Sequence, residues 1–268
     1  MSDSSLSSFR AEIPAGVQAA HRGLELADSR IGAGEISPKE GRDVVTASDV
    51  AVEALVRRLL HESIGQPVVG EEQGGARPTD GSGYWLVDPI CGTRNYAAGL
   101  PLYCLNLAFV EGDEVVAAIV AAPSPAEIVI AERDRGAWLV NGDQLHRTTV
   151  SAVSQTIVLE DDKVEGARRT RAAAFSAAAI SADRWDMRSF GTTLSLAYLA
   201  AGRIAACALL STSAVHSAAG SLLVAEAGAV LTDIDGHAWT LASSTMLASA
   251  NQELHDELLA LAASAGSA

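Results

Sequence analysis

A chain of 268 residues, 49% of them hydrophobic, is long enough to bury a large core, which excludes intrinsic disorder for the chain as a whole. Its 19 basic and 33 acidic residues give a formal net charge of -14 at pH 7. Such an acidic balance repels nucleic-acid backbones and anionic lipid surfaces, so we expect a small-molecule substrate, and neither nucleic acid nor a membrane as a partner. A small anion held through a metal ion is compatible with this charge.

The cysteines and the start of the chain give the expected compartment. Cys91, Cys104 and Cys207 are too scattered for a disulfide framework or a CxxC metal clip. The first residues lack a basic segment followed by an apolar one, and no apolar run approaches the roughly 18 residues of a membrane span. These features predict a cytoplasmic protein.

Apolar periodicity predicts the elements in chain order. A helix is expected from about Ser48, because the apolar residues from Val52 to Leu59 recur at helical spacing. Short apolar runs bounded by Gly, Asp and Pro predict strands at 67–69, 85–87, 103–110, 115–121 and 128–131. Beyond about residue 150, strands alternate with helices predicted at 164–180, 193–201 and 214–227, before a last helix with a leucine stripe. We therefore predict two lobes, residues 1–150 and 151–268.

Two acidic motifs follow predicted strands. One is Gly70-Glu71-Glu72, and the other is WLVDPICGTRNY at 85–96. Carboxylates delivered to one point by strand ends hold hard cations, and a Gly-Thr turn that opens a helix directs N–H groups at an anion. Taken singly, a solvated loop and an ordinary Asp88-Pro89 turn explain them equally well. Together, and in this order, they are far more specific.

The sequence resembles the inositol monophosphatase superfamily of metal-dependent phosphatases. The family pattern is Gly-Glu-Glu, then Trp-x-x-Asp-Pro-x-Asp-Gly-Thr-x-Asn-Phe, then Trp-Asp-x-Ala-Ala-Gly followed by Glu-Ala-Gly-Gly. The matching segments here are GEE at 70–72, WLVDPICGTRNY at 85–96, SAVHSAAGSLLVAEAGA at 213–229, DVVTASD at 43–49, RGAWLVNG at 135–142 and SFGTTLSLAYLAAGRI at 189–204. The resemblance implies an α/β (α+β) fold, layered as an α-β-α-β-α sandwich, and a homodimer.

About half of the family's site survives. The residues carried over are Glu71, Asp88 and the carbonyl of Ile90 for the first metal, Asp49 and Thr93 for positioning and deprotonating the attacking water, and Gly92 and Thr93 for backbone contacts to phosphate. The resemblance therefore implies a magnesium-dependent phosphatase of small phosphorylated metabolites.

The other half of the site is altered. Cys91 replaces the second aspartate of the Asp-Pro-x-Asp motif, and Val215-His216 replaces the Trp-Asp pair. The family builds its second metal site from Asp88 and these two positions. A further family acid is replaced by Ala205 or Ala206, and nothing polar lies near Leu209, where inositol phosphatases often carry a substrate-binding glutamate. These changes disfavour inositol phosphate as the substrate.

Four hypotheses follow from Cys91 and His216. The first keeps phosphomonoester hydrolysis with a single Mg²⁺ at Glu71, Asp88 and the Ile90 carbonyl. The second places Zn²⁺ among Asp88, Cys91 and His216, because sulfur and nitrogen suit a borderline ion better than Mg²⁺.

The third hypothesis needs no metal. Cys91 acts as nucleophile with His216 as base in acyl transfer or cyclisation, the turn at Gly92-Thr93 lowers the pKa of the thiol, and Asp88 or Asp49 orients the imidazole. The fourth is a catalytically inactive protein that binds a ligand or partner, with Cys91 and His216 in structural roles. The remaining histidines, without an acid or cysteine at ligand spacing, are expected at surface or capping positions: His21, His61, His146, His237 and His255.

Overall fold

A computed structural model of the protein describes residues 6–32, 37–38, 44–124, 126–142, 144–160 and 166–265. The helices in these ranges are α1 (Glu12–Asp28), α2 (Ala47–Ile64), α3 (Thr93–Ala97), α4 (Gly166–Ser181), α5 (Leu194–Ala200), α6 (Ala214–Glu226) and α7 (Gln252–Ala265). The strands are β1 (Ser37–Pro38), β2 (Val44–Val45), β3 (Val68–Gly70), β4 (Tyr84–Cys91), β5 (Cys104–Glu111), β6 (Glu114–Ala122), β7 (Glu127–Glu132), β8 (Gly136–Asn141), β9 (Gln144–Thr148), β10 (Thr156–Glu160), β11 (Asp186–Arg188), β12 (Ala206–Leu209), β13 (Val230–Thr232) and β14 (Met246–Ser249).

The larger sheet has seven strands in sequence order, from β3 to β9. Its strands are antiparallel except for β3, which runs parallel to β4. All eight residues of β4 are buried, so both of its faces are covered. A strand buried on both faces takes a continuous apolar run, which is how Tyr84–Val87 is recognisable in the sequence.

The smaller sheet has the strand order β11-β10-β12-β14-β13. The first three strands are parallel, and β14 is antiparallel to both of its neighbours. The two sheets and the helices form alternating layers. α1 and α2 pack on one face of the larger sheet, α6 packs on its other face beside α5, and α4 and α7 pack together outside the smaller sheet. The predicted α-β-α-β-α arrangement is confirmed.

Several elements extend or add to the predicted ones. The strand expected at 85–87 continues through Asp88-Pro89 to Cys91, with a shift of register against β5 between Asp88 and Cys91. Proline is tolerated at such an irregularity because the regular ladder is interrupted there. The predicted helix at 164–180 corresponds to α4, and its expected first residues lie outside the described ones.

The sequence analysis did not predict α1, because small residues weaken its apolar pattern. A Cβ atom on Gly16 would lie 2.5 Å from Ile119 Cδ1, and one on Gly23 would lie 2.6 Å from Leu105 Cδ1. The helix is therefore packed closely against the sheet by residues that carry little hydrophobic signal. None of the helices in the described residues is long and apolar enough to cross a membrane.

The larger sheet ends before Val150 and the smaller one begins after it. However, α6 packs against strands β4 to β8 of the larger sheet. The division into lobes at 1–150 and 151–268 therefore stays a prediction about organisation, with α6 as an element that both parts share.

Candidate active site

Asp49 and Thr93 are joined by a hydrogen bond at the start of α2. Thr46 caps this helix, and its backbone N–H and hydroxyl donate to Asp49 Oδ2 at 2.8 and 2.5 Å. Thr93 Oγ1 lies 3.1 Å from Asp49 Oδ1 and 3.1 Å from the Ile90 carbonyl oxygen. Burial raises the pKa of Asp49 against the opposing effect of these hydrogen bonds, and the charge of Glu71 raises it further. Asp49 is thus a carboxylate with increased basicity and a fixed orientation.

Glu71 lies on a turn whose backbone N–H groups donate to the buried carboxylate of Glu53. Glu53 is 0% exposed, accepts hydrogen bonds from the backbone N–H groups of residues 72 and 73 at 2.7 and 3.0 Å, and pairs with Arg57 at 2.9 Å. A Cβ atom on Gly70 would lie 2.1 Å from Glu53 Oε1. The Gly-Glu-Glu motif therefore belongs to an anchored turn and not to a freely solvated loop.

The end of β4 presents Asp88, the carbonyl of Ile90 and Cys91 before a sharp turn at Gly92. Asp88 is 0% exposed. Gly92 adopts φ 102°, and a Cβ atom there would lie 2.9 Å from the Leu102 carbonyl oxygen, so glycine is required. α3 begins with the next residue, which directs the Thr93 hydroxyl back toward Ile90.

His216 lies between the two acidic motifs. Its Nδ1 atom is 2.8 Å from Asp88 Oδ2, and its Nε2 atom is 3.7 Å from Glu71 Oε1. Burial alone would lower the pKa of His216, but the hydrogen bond to Asp88, the contact with Cys91 and the charges of Asp88 and Glu71 raise it well above its ordinary value. This direction favours the charged form of the imidazole between the two carboxylates.

Cys91 is held as a neutral thiol. Its Sγ atom lies 3.0 Å from Thr193 Oγ1 and accepts a hydrogen bond from the Thr193 N–H at 3.2 Å. Contact with Cys104, burial and the charge of Asp88 raise the pKa of the thiol well above its ordinary value, although contact with His216 opposes them. The expectation that the helix start would lower this pKa is wrong, because the sulfur is buried among neutral groups and beside a carboxylate.

The pKa shifts of His216 and Cys91 bear on the hypothesis that Cys91 is a nucleophile. A general base must accept a proton, and the raised pKa of His216 favours the form that already carries it. A nucleophilic cysteine needs a thiolate fraction, which a raised pKa removes at Cys91. The pairing of Cys91 with His216 as nucleophile and base stays a prediction, and the raised pKa values of both groups argue against it.

Two residues of the site were not recognised in the sequence. Asn106 Nδ2 donates to Thr193 Oγ1 at 2.8 Å and lies 3.4 Å from Asp88 Oδ2 and 3.4 Å from the His216 carbonyl oxygen. It was detectable as the one polar residue among the first seven residues of strand β5. Thr193 lies in the SFGTT segment that was matched to the family, but no chemical signal distinguishes it from its neighbour Thr192.

The donor atoms form two sets that share Asp88. Glu71, Asp88 and the Ile90 carbonyl offer oxygen only, which fits a hard cation such as Mg²⁺. Asp88, Cys91 and His216 each offer one donor atom, and these atoms lie within 4.8 Å of one another. This second set of oxygen, sulfur and nitrogen does not fit Mg²⁺, so the family's arrangement of several magnesium ions does not fit this chain.

Comparison with known proteins agrees with the fold and the retained motifs. The sequence profile of the inositol monophosphatase family matches residues 11–267. Histidinol-phosphatase of Mycobacterium tuberculosis is 34% identical over 247 residues, which cover 90% of this chain and 93% of that protein. An inositol-1-monophosphatase of Caulobacter vibrioides is 28% identical over 243 residues, which cover 90% of this chain and 95% of that protein.

Solved structures show the same architecture. The extragenic suppressor protein SuhB from Bartonella henselae superposes with a TM-score of 0.86 at 24% identity, covering 94% of this chain and 98% of that one. An inositol monophosphatase from Thermotoga maritima gives a TM-score of 0.83 at 24% identity, covering 96% and 98%. The chain belongs to the inositol monophosphatase family, a family of phosphomonoesterases. The resemblance inferred from the motifs is confirmed.

Proposed function

We propose that the protein hydrolyses the phosphomonoester of a small polar metabolite with the help of a single Mg²⁺ ion. The observation that carries this proposal is the retained contact chain from Asp49 through the Thr93 hydroxyl to the Ile90 carbonyl, beside Glu71 and Asp88. Asp49 Oδ2 already completes the capping box of α2 with Thr46, so the separate contact of Asp49 Oδ1 with the Thr93 hydroxyl is not needed for capping.

Each retained residue has a definite task in such a reaction. Glu71, Asp88 and the Ile90 carbonyl would hold the cation, which when bound neutralises negative charge on the phosphoryl oxygens. The Thr93 hydroxyl donates to Asp49, so its lone pairs are available to accept a hydrogen bond from water. Asp49, whose pKa is raised, is the group that takes the proton of that water.

His216 and Cys91 are not needed as proton carriers in this proposal. The imidazole lies between Glu71 and Asp88, 3.7 Å from Glu71 Oε1 and 2.8 Å from Asp88 Oδ2. Gly92 and Thr93 remain the predicted backbone contacts to the phosphate. The homodimer and the cytoplasmic location also remain predictions.

The substrate side of the pocket supports a departure from inositol phosphate. The positions at which the family carries further acids are apolar and almost fully buried here, namely Ala205, Ala206 and Leu209. Hydroxyl groups of a polyol would find no carboxylate at these positions. The names of the relatives supply two test substrates, L-histidinol phosphate and inositol 1-phosphate. Of these two, the replaced acids disfavour inositol 1-phosphate.

The test is phosphate release from a panel of phosphomonoesters that includes both compounds, with and without Mg²⁺. We expect release that requires Mg²⁺ and that falls at least about 100-fold in Glu71→Gln, because a cation ligand is lost. Glu62→Gln is the matched control, since this glutamate lies exposed on α2 beside Arg58. Release that is independent of Mg²⁺ and unchanged in Glu71→Gln, or no release from any compound, would overturn the proposal.

A further inference from the structure

The second donor set is assembled from distant parts of the chain. Asp88 and Cys91 lie at the end of β4, and His216 lies in the first turn of α6. Their donor atoms lie within 4.8 Å of one another. Asp88 is fully buried, Cys91 is 8% exposed, and the side chain of His216 is 15% exposed. Tertiary packing thus brings a carboxylate, a thiol and an imidazole together at a position with little exposure to solvent.

Neighbouring groups support the sulfur and the carboxylate from outside. Thr193 donates its N–H to Cys91 Sγ at 3.2 Å, and its hydroxyl oxygen lies 3.0 Å from the same sulfur. Asn106 Nδ2 donates to the same hydroxyl at 2.8 Å and lies 3.4 Å from Asp88 Oδ2. Outer hydrogen bonds of this kind orient metal ligands and tune a bound thiolate.

The chemistry of the donors decides which cation they select. Mg²⁺ requires a near-octahedral shell of oxygen and gives up its waters reluctantly. Zn²⁺ takes sulfur, nitrogen and oxygen in a tetrahedral shell, and three protein ligands leave one position for water or a substrate oxygen. Glu71 Oε1 lies 3.7 Å from His216 Nε2, so a further carboxylate contacts the imidazole beside this donor set.

We propose that Asp88, Cys91 and His216 form a zinc-binding site, in which this chain binds a borderline cation where its family binds a second magnesium. Binding displaces the thiol proton of Cys91 and one imidazole proton of His216 to solvent, and the cation takes the place of these protons. The inference goes beyond the proposed hydrolysis and does not depend on it, because metal binding is measured without substrate.

The experiment uses the full chain, stripped with a chelator and titrated with Co²⁺, an optical probe for zinc sites. We expect one Co²⁺ per chain and a near-ultraviolet absorption band from a thiolate ligand. Zn²⁺ should abolish the band, and a large excess of Mg²⁺ should leave it. Cys91→Ser should lose the band and bind Zn²⁺ at least about tenfold more weakly, and His216→Gln should weaken binding by a similar factor.

Cys207→Ser is the matched control, because Cys207 is also buried and hydrogen-bonded, to Ser195 at 3.1 Å, but lies outside the cluster. It should keep the band. No thiolate band in the unaltered protein, a band that survives in Cys91→Ser, or displacement by Mg²⁺ as readily as by Zn²⁺ would each overturn the site. If a variant fails to fold, the spectra of the unaltered protein with Co²⁺, Zn²⁺ and Mg²⁺ decide the test on their own. Failure of phosphate release with Mg²⁺ leaves these spectra unaffected, so the two proposals can fail separately.

Discussion

The two halves of the candidate site share Asp88 but differ in chemistry. On one side, Asp49, Thr93 and Glu71 offer oxygen atoms fixed by helix capping and an anchored turn. On the other, Cys91 and His216 offer sulfur and nitrogen. The backbone that carries both halves has the architecture of the family. The difference shows that a scaffold can keep its positions while two side chains change the donor atoms that it presents.

His216 and His255 show how strongly neighbouring groups affect the pKa of a histidine. His216 faces Asp88 and Glu71, which raise its pKa although burial lowers it. His255 is 1% exposed and contacts the hydroxyls of Thr232 and Ser249 at 3.0 and 3.2 Å, and burial lowers its pKa. The surface or capping position expected for His255 is therefore wrong, because neutral hydroxyls satisfy both ring nitrogens inside the fold.

The largest effect is expected where the two halves meet. Asp88→Asn removes the charged partner of His216 inside the protein, so the free energy of unfolding should fall by about 3 kcal/mol. The matched control is Asp233→Asn. It alters the pair of Asp233 with His237, whose side chain is 77% exposed. This substitution should lower the free energy of unfolding by less than about 1 kcal/mol. Urea denaturation measures both. Equal, small losses would show that His216 and Asp88 are not coupled.

The oxygen half is tested by Thr93→Val, which keeps the shape of the side chain and removes the hydroxyl between Asp49 and Ile90. On the proposed mechanism, kcat for phosphate release should fall by about 100-fold with little change in KM, because water is no longer oriented toward its base. Thr93→Ser keeps the hydroxyl and should restore most of the rate. A mainly KM effect would instead assign Thr93 to substrate binding.

The sulfur half is tested by alkylation. Because burial and the contacts with Cys104 and Asp88 keep Cys91 as a thiol, iodoacetamide should label it at least about tenfold more slowly than an exposed cysteine at neutral pH. The rate should increase only as alkaline pH produces thiolate. Peptide mass spectrometry compares Cys91 with the buried Cys207 in the same sample. Rapid, selective labelling of Cys91 would instead support the nucleophile hypothesis.

The smallest effect concerns His255, outside both halves. Its pKa in the folded protein lies below the unfolded value near 6.5. As the pH falls below 6.5, the unfolded chain therefore binds a proton at this histidine, while the folded protein does not yet bind one. Stability contributed by neutral His255 is therefore present above the unfolded pKa and decreases toward acid. His255→Gln should make the free energy of unfolding less dependent on pH between about 7 and 5. An unchanged slope would exclude His255 as a contributor.

The sequence predicts the fold, and its motifs locate the residues of the oxygen half, whose roles stay predictions. Glu71 and Thr93 follow apolar strands, and Asp88 lies within one. α1 was missed because its packing depends on glycines, whose importance is visible only when the sheet lies beside them.

The altered half was harder to predict, since its properties come from residues far away in the chain. Contact with Cys104, burial and the charge of Asp88 raise the pKa of Cys91. No local motif predicts that the Thr193 N–H donates to its sulfur. Likewise, the carboxylate that anchors the turn of Glu71 comes from Glu53 in α2. Sequence patterns give the position of a side chain more readily than its electrostatic surroundings.

The shared position of α6 has a consequence for the order in which the molecule is made. The larger sheet is complete at Thr148, but one of its faces is covered by a helix that ends only at Glu226. Since synthesis proceeds at roughly 5–20 residues per second, the apolar face stays open on the ribosome for several seconds. The same helix brings His216, so the sheet is covered and the cluster of Asp88, Cys91 and His216 is completed in one event late in synthesis.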